Sequence, residues 1–233
     1  MVNNDINNIK NNIENIRRAI EESATACGRK ASDIKLVAVT KTHSVEEMLI
    51  ASESADALGE NRVQEAMAKK RLWPSTNRSQ WRLLGHLQNN KVRKALQLFD
   101  TVDSLDSVDL AMTLNRVSQE MTRVTSVLIE VNTSGESSKS GVALGKFYEL
   151  LDRVLTCRNL SLEGLMTIGP LSENESDVRR AFAQARALSE KARALSALPL
   201  SILSMGMSYD FRWAITEGST MVRIGTALFG SRE

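Results

Sequence analysis

The 233 residues carry 30 Lys plus Arg against 28 Asp plus Glu, a formal net charge of +2, with 42% hydrophobic and 25% charged residues, an ordinary globular composition. This balance gives no general pull toward nucleic acid or an anionic membrane, and with aromatics at 4% a base-stacking surface is not expected. No apolar run reaches the length of a membrane span, the polar, acid-bearing N-terminus is unlike a secretory signal, and two distant cysteines, Cys27 and Cys157, form neither a disulfide framework nor a zinc spacing.

The predicted elements alternate along the chain. Ile6, Ile9, Ile13, Ile16 and Ile20 recur at helical spacing within residues 6–26. A short β-branched run, Leu36 to Val39, follows. Ser44 then offers an N-cap with Glu47 as its capping-box partner, opening a helix to Ser54. Residues 56–59 read as a weak strand and 61–71 as a helix, 81–85 as a strand and 89–98 as a helix, and 101–103 as a strand and 106–122 as a helix. SVLIEV at 126–131 is the clearest strand; a helix at 144–155, a glycine-containing strand at 162–168 and an Ala-rich helix at 174–197 come next. The last units are a strand at 202–205, a helix at 210–217 and a strand at 221–224.

Eight strands alternating with helices imply parallel strands joined by helical crossovers. In a chain of this length that predicts a single (β/α)8 TIM-type barrel with an extra N-terminal helix. The rival, a doubly wound open sheet, calls for a Gly-rich turn after its first strand, where this chain has Thr40-Lys41-Thr42. No linker-like stretch appears; Pro74 to Ser79 is the one loosely polar run. Residues 1–233 therefore read as one domain.

Barrels of this type place reactive groups at the C-terminal ends of their strands. Lys41 follows the first strand directly; a partly desolvated amine there can attack an aldehyde and form a Schiff base, although strand-end lysines are often merely surface residues. In the last strand, alternation that sends Val222 and Ile224 outward turns Arg223 into the lumen. A charge there needs a partner, with Glu130 or Glu163 as candidates. Gly225-Thr226 and Ser204-Met205-Gly206-Met207-Ser208 form small-residue turns after the last two strands, where barrels frequently bind phosphate. Asn61 after the second strand reads as either a ligand contact or a helix N-cap. His86, Asn132 and Lys139 are further mouth residues. There is no P-loop and no GxGxxG or GxSxG motif. The two histidines, His43 and His86, are too few for a His-rich metal site.

Taken in order, LVAVTKT (36–42), GENRVQE (59–65), LGHLQNNK (84–91), VNTSGESSKSG (131–141), Gly164-Leu165-Met166 and SMGMSYDFRWAITEGSTMVRIGTALFG (204–230) resemble the pyridoxal phosphate homeostasis protein family over nearly the whole chain. The resemblance implies a barrel like the N-terminal domain of alanine racemase, with pyridoxal 5′-phosphate (PLP) as cofactor. It also implies that Lys41 holds PLP as a Schiff base, Arg223 faces the pyridine nitrogen, Ser208, Gly225 and Thr226 hold the phosphate, and Asn61 lies near the cofactor. Two positions depart from the family: Arg62 stands where Tyr is common, and Arg82 where His is common before the LG step.

An Arg at the pyridine nitrogen keeps that nitrogen unprotonated and weakens the electron sink that PLP catalysis uses. A racemase also needs a second acid or base on the other face of its substrate. The related racemases take that group, a Tyr, from an additional domain for which this sequence is expected to have no room. The tyrosines here are Tyr148 and Tyr209. The first expectation is thus a monomeric cytoplasmic PLP carrier, without robust catalysis, whose recipients are apo PLP-dependent enzymes. The alternatives are a small PLP-dependent racemase acting through Tyr209 and a cofactor-free Schiff-base aldolase using Lys41.

Overall fold

The computed structural model of the chain describes residues 2–136 and 139–230, with side chains in the first helix described from Asn8 onward. The expected contribution of Ile6 and the Ser137-Ser138 pair of the fourth motif lie outside the described side chains and residues. Eight parallel strands form the barrel: β1 Lys35–Val39, β2 Ala57–Glu60, β3 Trp81–Leu83, β4 Thr101–Leu105, β5 Thr125–Asn132, β6 Leu160–Thr167, β7 Ile202–Ser204 and β8 Met221–Ile224. They are hydrogen-bonded in the order β4-β3-β2-β1-β8-β7-β6-β5, and pairing of β4 with β5 closes the ring. The helices are α1 Val2–Ala26, α2 Val45–Ser52, α3 Val63–Leu72, α4 Val92–Leu98, α5 Val108–Glu120, α6 Phe147–Leu155, α7 Glu175–Ser196, α8 Phe211–Thr216 and α9 Thr226–Phe229. The expected (β/α)8 barrel with a preceding helix is what the chain forms. A two-residue strand, Val142–Ala143, adds to β5 outside the ring.

Period-two alternation sorts the strand residues between two apolar cores. Leu36, Ala38, Val222, Ile224, Val127, Ile129, Leu165 and Leu203 pack outward against the helices. Val37, Ala57, Leu84, Leu128, Met166, Ile202 and Met221 fill the lumen, with Val39 against them. The capping box at Ser44 and Glu47 forms as the sequence predicts. Ile9, Ile13, Ile16 and Ile20 bury one face of α1 against α2, α8 and α9. This covers the side of the barrel where β1 and β8 meet.

Gly164 explains the glycine inside β6. The register between β5 and β6 shifts there, and a Cβ at Gly164 would lie 1.8 Å from the Ile202 carbonyl oxygen. β6 and β7 approach closely only because that atom is missing. Both cysteines are free thiols, and among the described residues no helix is long and apolar enough to cross a membrane.

Candidate functional site

Above its apolar floor the lumen turns polar. Arg223 projects inward from β8 and is 4% exposed. Its Nη1 donates to Ser204 Oγ at 2.8 Å and its Nη2 to the Thr167 carbonyl at 2.8 Å. Two of the five guanidinium donors are thus used, and burial pulls the Arg223 pKa down while Glu130, Asp103 and Asp210 push it up. The expected ion pair to Glu130 or Glu163 does not form. Ser204 and Thr167, on the neighbouring ends of β7 and β6, occupy the guanidinium instead, and Glu163 lies near Lys35, where β1 begins.

Glu130 on β5 faces the lumen opposite β1. It is 1% exposed, and its Oε2 finds no hydrogen-bond partner. Burial raises its carboxyl to about 7, Arg223 opposes that rise, and Asp106 adds to it. Arg82 also turns into the lumen, where Nε and Nη2 grip both carboxylate oxygens of Asp103 at 2.8 and 3.0 Å. At this departure from the family pattern, a buried bidentate ion pair between β3 and β4 takes the place of a neutral or titratable ring. The other departure, Arg62, is exposed at the N-cap of α3 without a side-chain cap bond. It follows that Asn61 is not the cap; it sits half-buried just above β2.

Lys41 continues β1 past Thr40, half-buried, on the same parity as the lumen residues Val37 and Val39. The turns after β7 and β8 flank it. A Cβ at Gly225 would come 3.4 Å from the Val39 carbonyl oxygen, so the last turn runs directly beside the strand that carries Lys41. Ser208 Oγ accepts the Ala227 N–H at 3.1 Å and ties the two turns together. Gly206 bends the first of them with φ +96°, where a Cβ would meet Ala214 Cβ at 2.6 Å, and its carbonyl accepts the Arg223 N–H. Asp210 accepts the Met207 N–H at 2.6 Å. Burial raises its pKa against that bond and against Arg223. Thr226 is exposed beside Ser208. Lys41, Ser208, Arg223, Gly225 and Thr226 are thus brought to one sector of the mouth, with Asn61 one strand further round.

Other mouth residues are engaged elsewhere. The Asn132 carboxamide is spent on its own loop, to the Glu136 and Lys139 carbonyls and the Gly135 N–H. Lys139 reaches the Gly169 carbonyl. His86 is exposed at the rim, 3.0 Å from Asp106. Tyr209 is 87% exposed and Tyr148 41%. Among the described residues no group of acidic, His or Cys side chains is placed to hold a metal ion.

The family model "Alanine racemase, N-terminal domain" matches residues 5–233. A protein of Vibrio alginolyticus named pyridoxal phosphate homeostasis protein is 39% identical, the match covering 98% of this chain and 99% of its own. The chain belongs to the pyridoxal phosphate homeostasis protein family. A family member of the same name from Escherichia coli is 37% identical over 98% of both chains. PipY of Synechococcus elongatus, solved with PLP bound, superposes with a TM-score of 0.80 at 34% identity, covering 91% of this chain and 100% of that one. An alanine racemase of Clostridium difficile shares the fold at a TM-score of 0.79 and 17% identity; the match covers 97% of this chain and 57% of the racemase.

Proposed function

We propose that this protein binds PLP at the C-terminal mouth of its barrel and serves intracellular PLP homeostasis, holding the cofactor covalently through Lys41 for buffering or delivery to apo enzymes. One juxtaposition carries the reading: the end of β1, which bears Lys41, lies directly beside the paired turns at 206–208 and 225–227. PLP supplies an aldehyde that condenses reversibly with a primary amine, and a phosphate monoester. The residues fit it. The hydroxyls of Ser208 and Thr226 and the backbone at Gly225 suit the phosphate. The unused Arg223 donors suit an acceptor such as a ring nitrogen, and the orphaned, buried Glu130 Oε2 suits a polar ligand atom. Asn61 lines the same mouth. The curated relatives' name and the PLP-bound relative support the reading.

Carriage without sustained turnover follows from the groups around the site. Arg223 offers donors only, so it does not protonate a ring nitrogen that must act as an electron sink. Tyr209, at 87% exposed, lacks the desolvation and fixed geometry that proton transfer to a bound substrate requires. Visible absorption of the purified protein before and after borohydride, followed by peptide mass analysis, tests the binding. The expected result is a yellow protein whose colour bleaches and whose label maps to Lys41. A colourless protein after incubation with PLP refutes it. Sustained racemisation of either alanine enantiomer refutes the carrier role.

A further inference from the structure

Both neighbours of Lys41 are gripped by one buried cluster. The Thr40 N–H donates to the Gly59 carbonyl at 2.9 Å and its Oγ to Glu60 Oε1 at 2.6 Å. Its carbonyl accepts Lys69 Nζ at 2.7 Å. The same Nζ donates to Glu60 Oε1 and to Glu65 Oε1, each at 2.7 Å. Glu65 in turn accepts the N–H of Thr42. The three protons of one ammonium therefore join the end of β1, β2 and α3. The Lys69 side chain is 9% exposed and that of Glu60 0%.

Two features separate this cluster from an ordinary stabilising ion pair. A buried salt bridge is weak support for stability, because desolvation offsets most of the attraction. Here the bonds converge on backbone atoms of residues 40 and 42. Thr42, a β-branched residue, also holds φ at +70°, a strained conformation that persists only where its surroundings impose it. The Glu65 bond to its N–H is one restraint on it, and the His43 N–H bond to the Thr40 carbonyl, at 3.1 Å, closes the same turn.

We propose that Lys69, with Glu60 and Glu65, is a positioning device that fixes the backbone on both sides of Lys41 and so aims its amine at the incoming aldehyde. The inference rests on the reading of Lys41 as the condensing amine. In that condensation Nζ bonds to the aldehyde carbon, and the aldehyde oxygen leaves as water with both protons of the neutral amine. Misplacement of a reacting group by about 1 Å can cost roughly a hundredfold in rate.

Covalent capture of PLP by the full-length protein, followed by stopped-flow visible absorbance, tests it alongside thermal unfolding without PLP. Glu65→Ala frees the Thr42 N–H at a half-exposed helix position and leaves Lys69 paired with Glu60. Lys69→Met combined with Glu60→Gln removes the cluster without stranding a buried charge. Both are expected to slow capture by about tenfold or more, with Glu65→Gln restoring much of the rate because it keeps an acceptor for Thr42. Capture within twofold of the parent in both variants, with borohydride label still on Lys41, overturns the positioning role and leaves the site reading intact. A parent label that maps away from Lys41 overturns both. A lowered melting temperature with unchanged capture by the folded fraction assigns the cluster to stability alone and also overturns the proposal.

Discussion

Glu130 offers the sharpest energetic test of the lumen. Its carboxyl is buried, one oxygen is unpartnered, and burial lifts its pKa from the ordinary 4.5 to about 7. Below pH 4.5 the group is protonated whether the chain is folded or not and contributes nothing. Between 4.5 and 7 the folded protein binds more protons than the unfolded chain, so stability falls as pH rises. Each tenfold change in proton affinity is worth about 1.4 kcal/mol, so above pH 7 the ionised carboxyl costs the fold roughly 3 kcal/mol. Glu130→Gln keeps the shape and removes the titration. Urea unfolding of both proteins without PLP, at steps from about pH 4 to about pH 8, should give nearly matching stabilities at the acid end and a variant more stable by about 3 kcal/mol at the alkaline end. Parallel curves across that range would refute the account and mean that Glu130 is solvated or paired in solution.

Three other perturbations follow from the geometry. Asp103→Ala strands the Arg82 guanidinium, which is 1% exposed, and should cost about 3–5 kcal/mol in urea unfolding, whereas Arg82→Met with Asp103→Leu should recover most of it. Gly164→Ala drives a methyl into the Ile202 carbonyl; a loss at the upper end of about 1–3 kcal/mol is expected because the obstacle is backbone, measurable as a lowered melting temperature. Ser208→Ala removes both the proposed phosphate donor and the bond to Ala227, and PLP titration should show roughly tenfold weaker binding, in line with one hydrogen bond to a charged group.

The barrel was legible because most strands carry apolar runs and most helices their own period. Where boundaries moved, inward-facing polar residues hid the strand. Ser104 makes TVDSL look like a strand that ends at Asp103, yet β4 runs on to Leu105. Glu60 likewise reads as a loop residue but completes β2. Val142–Ala143 is too short to carry a pattern. At the site, Lys41 and the two small-residue turns were visible because strand ends and turn chemistry are local properties. The Arg223 contacts were misjudged because charge alone nominates an acid, while the structure supplies a hydroxyl and a carbonyl from adjacent strand ends. The Arg82–Asp103 pair joins residues on neighbouring strands, a contact no single-sequence spacing reports. Lys69 was not among the site candidates read from the sequence; its i,i+4 spacing from Glu65 was the one available signal.

The lumen is built in two tiers, and their contrast separates scaffold from site. Val37, Ala57, Leu128, Met166, Ile202 and Met221 form a tier that packs as barrel interiors ordinarily do. Arg82, Asp103, Glu130 and Arg223 stand among that packing as buried polar and charged groups, which a fold selected for stability alone would replace with branched hydrocarbons. Arg82 and Asp103 satisfy one another. Glu130 and Arg223 do not: one carboxylate oxygen has no partner, and the guanidinium is only partly used. Unmet hydrogen-bonding capacity in a dry interior is destabilising by about 1–3 kcal/mol per group. A polar, anionic ligand entering from the mouth beside Lys41 would meet those groups and relieve that strain, so its binding should stabilise the fold by more than its contacts with the surface turns alone provide.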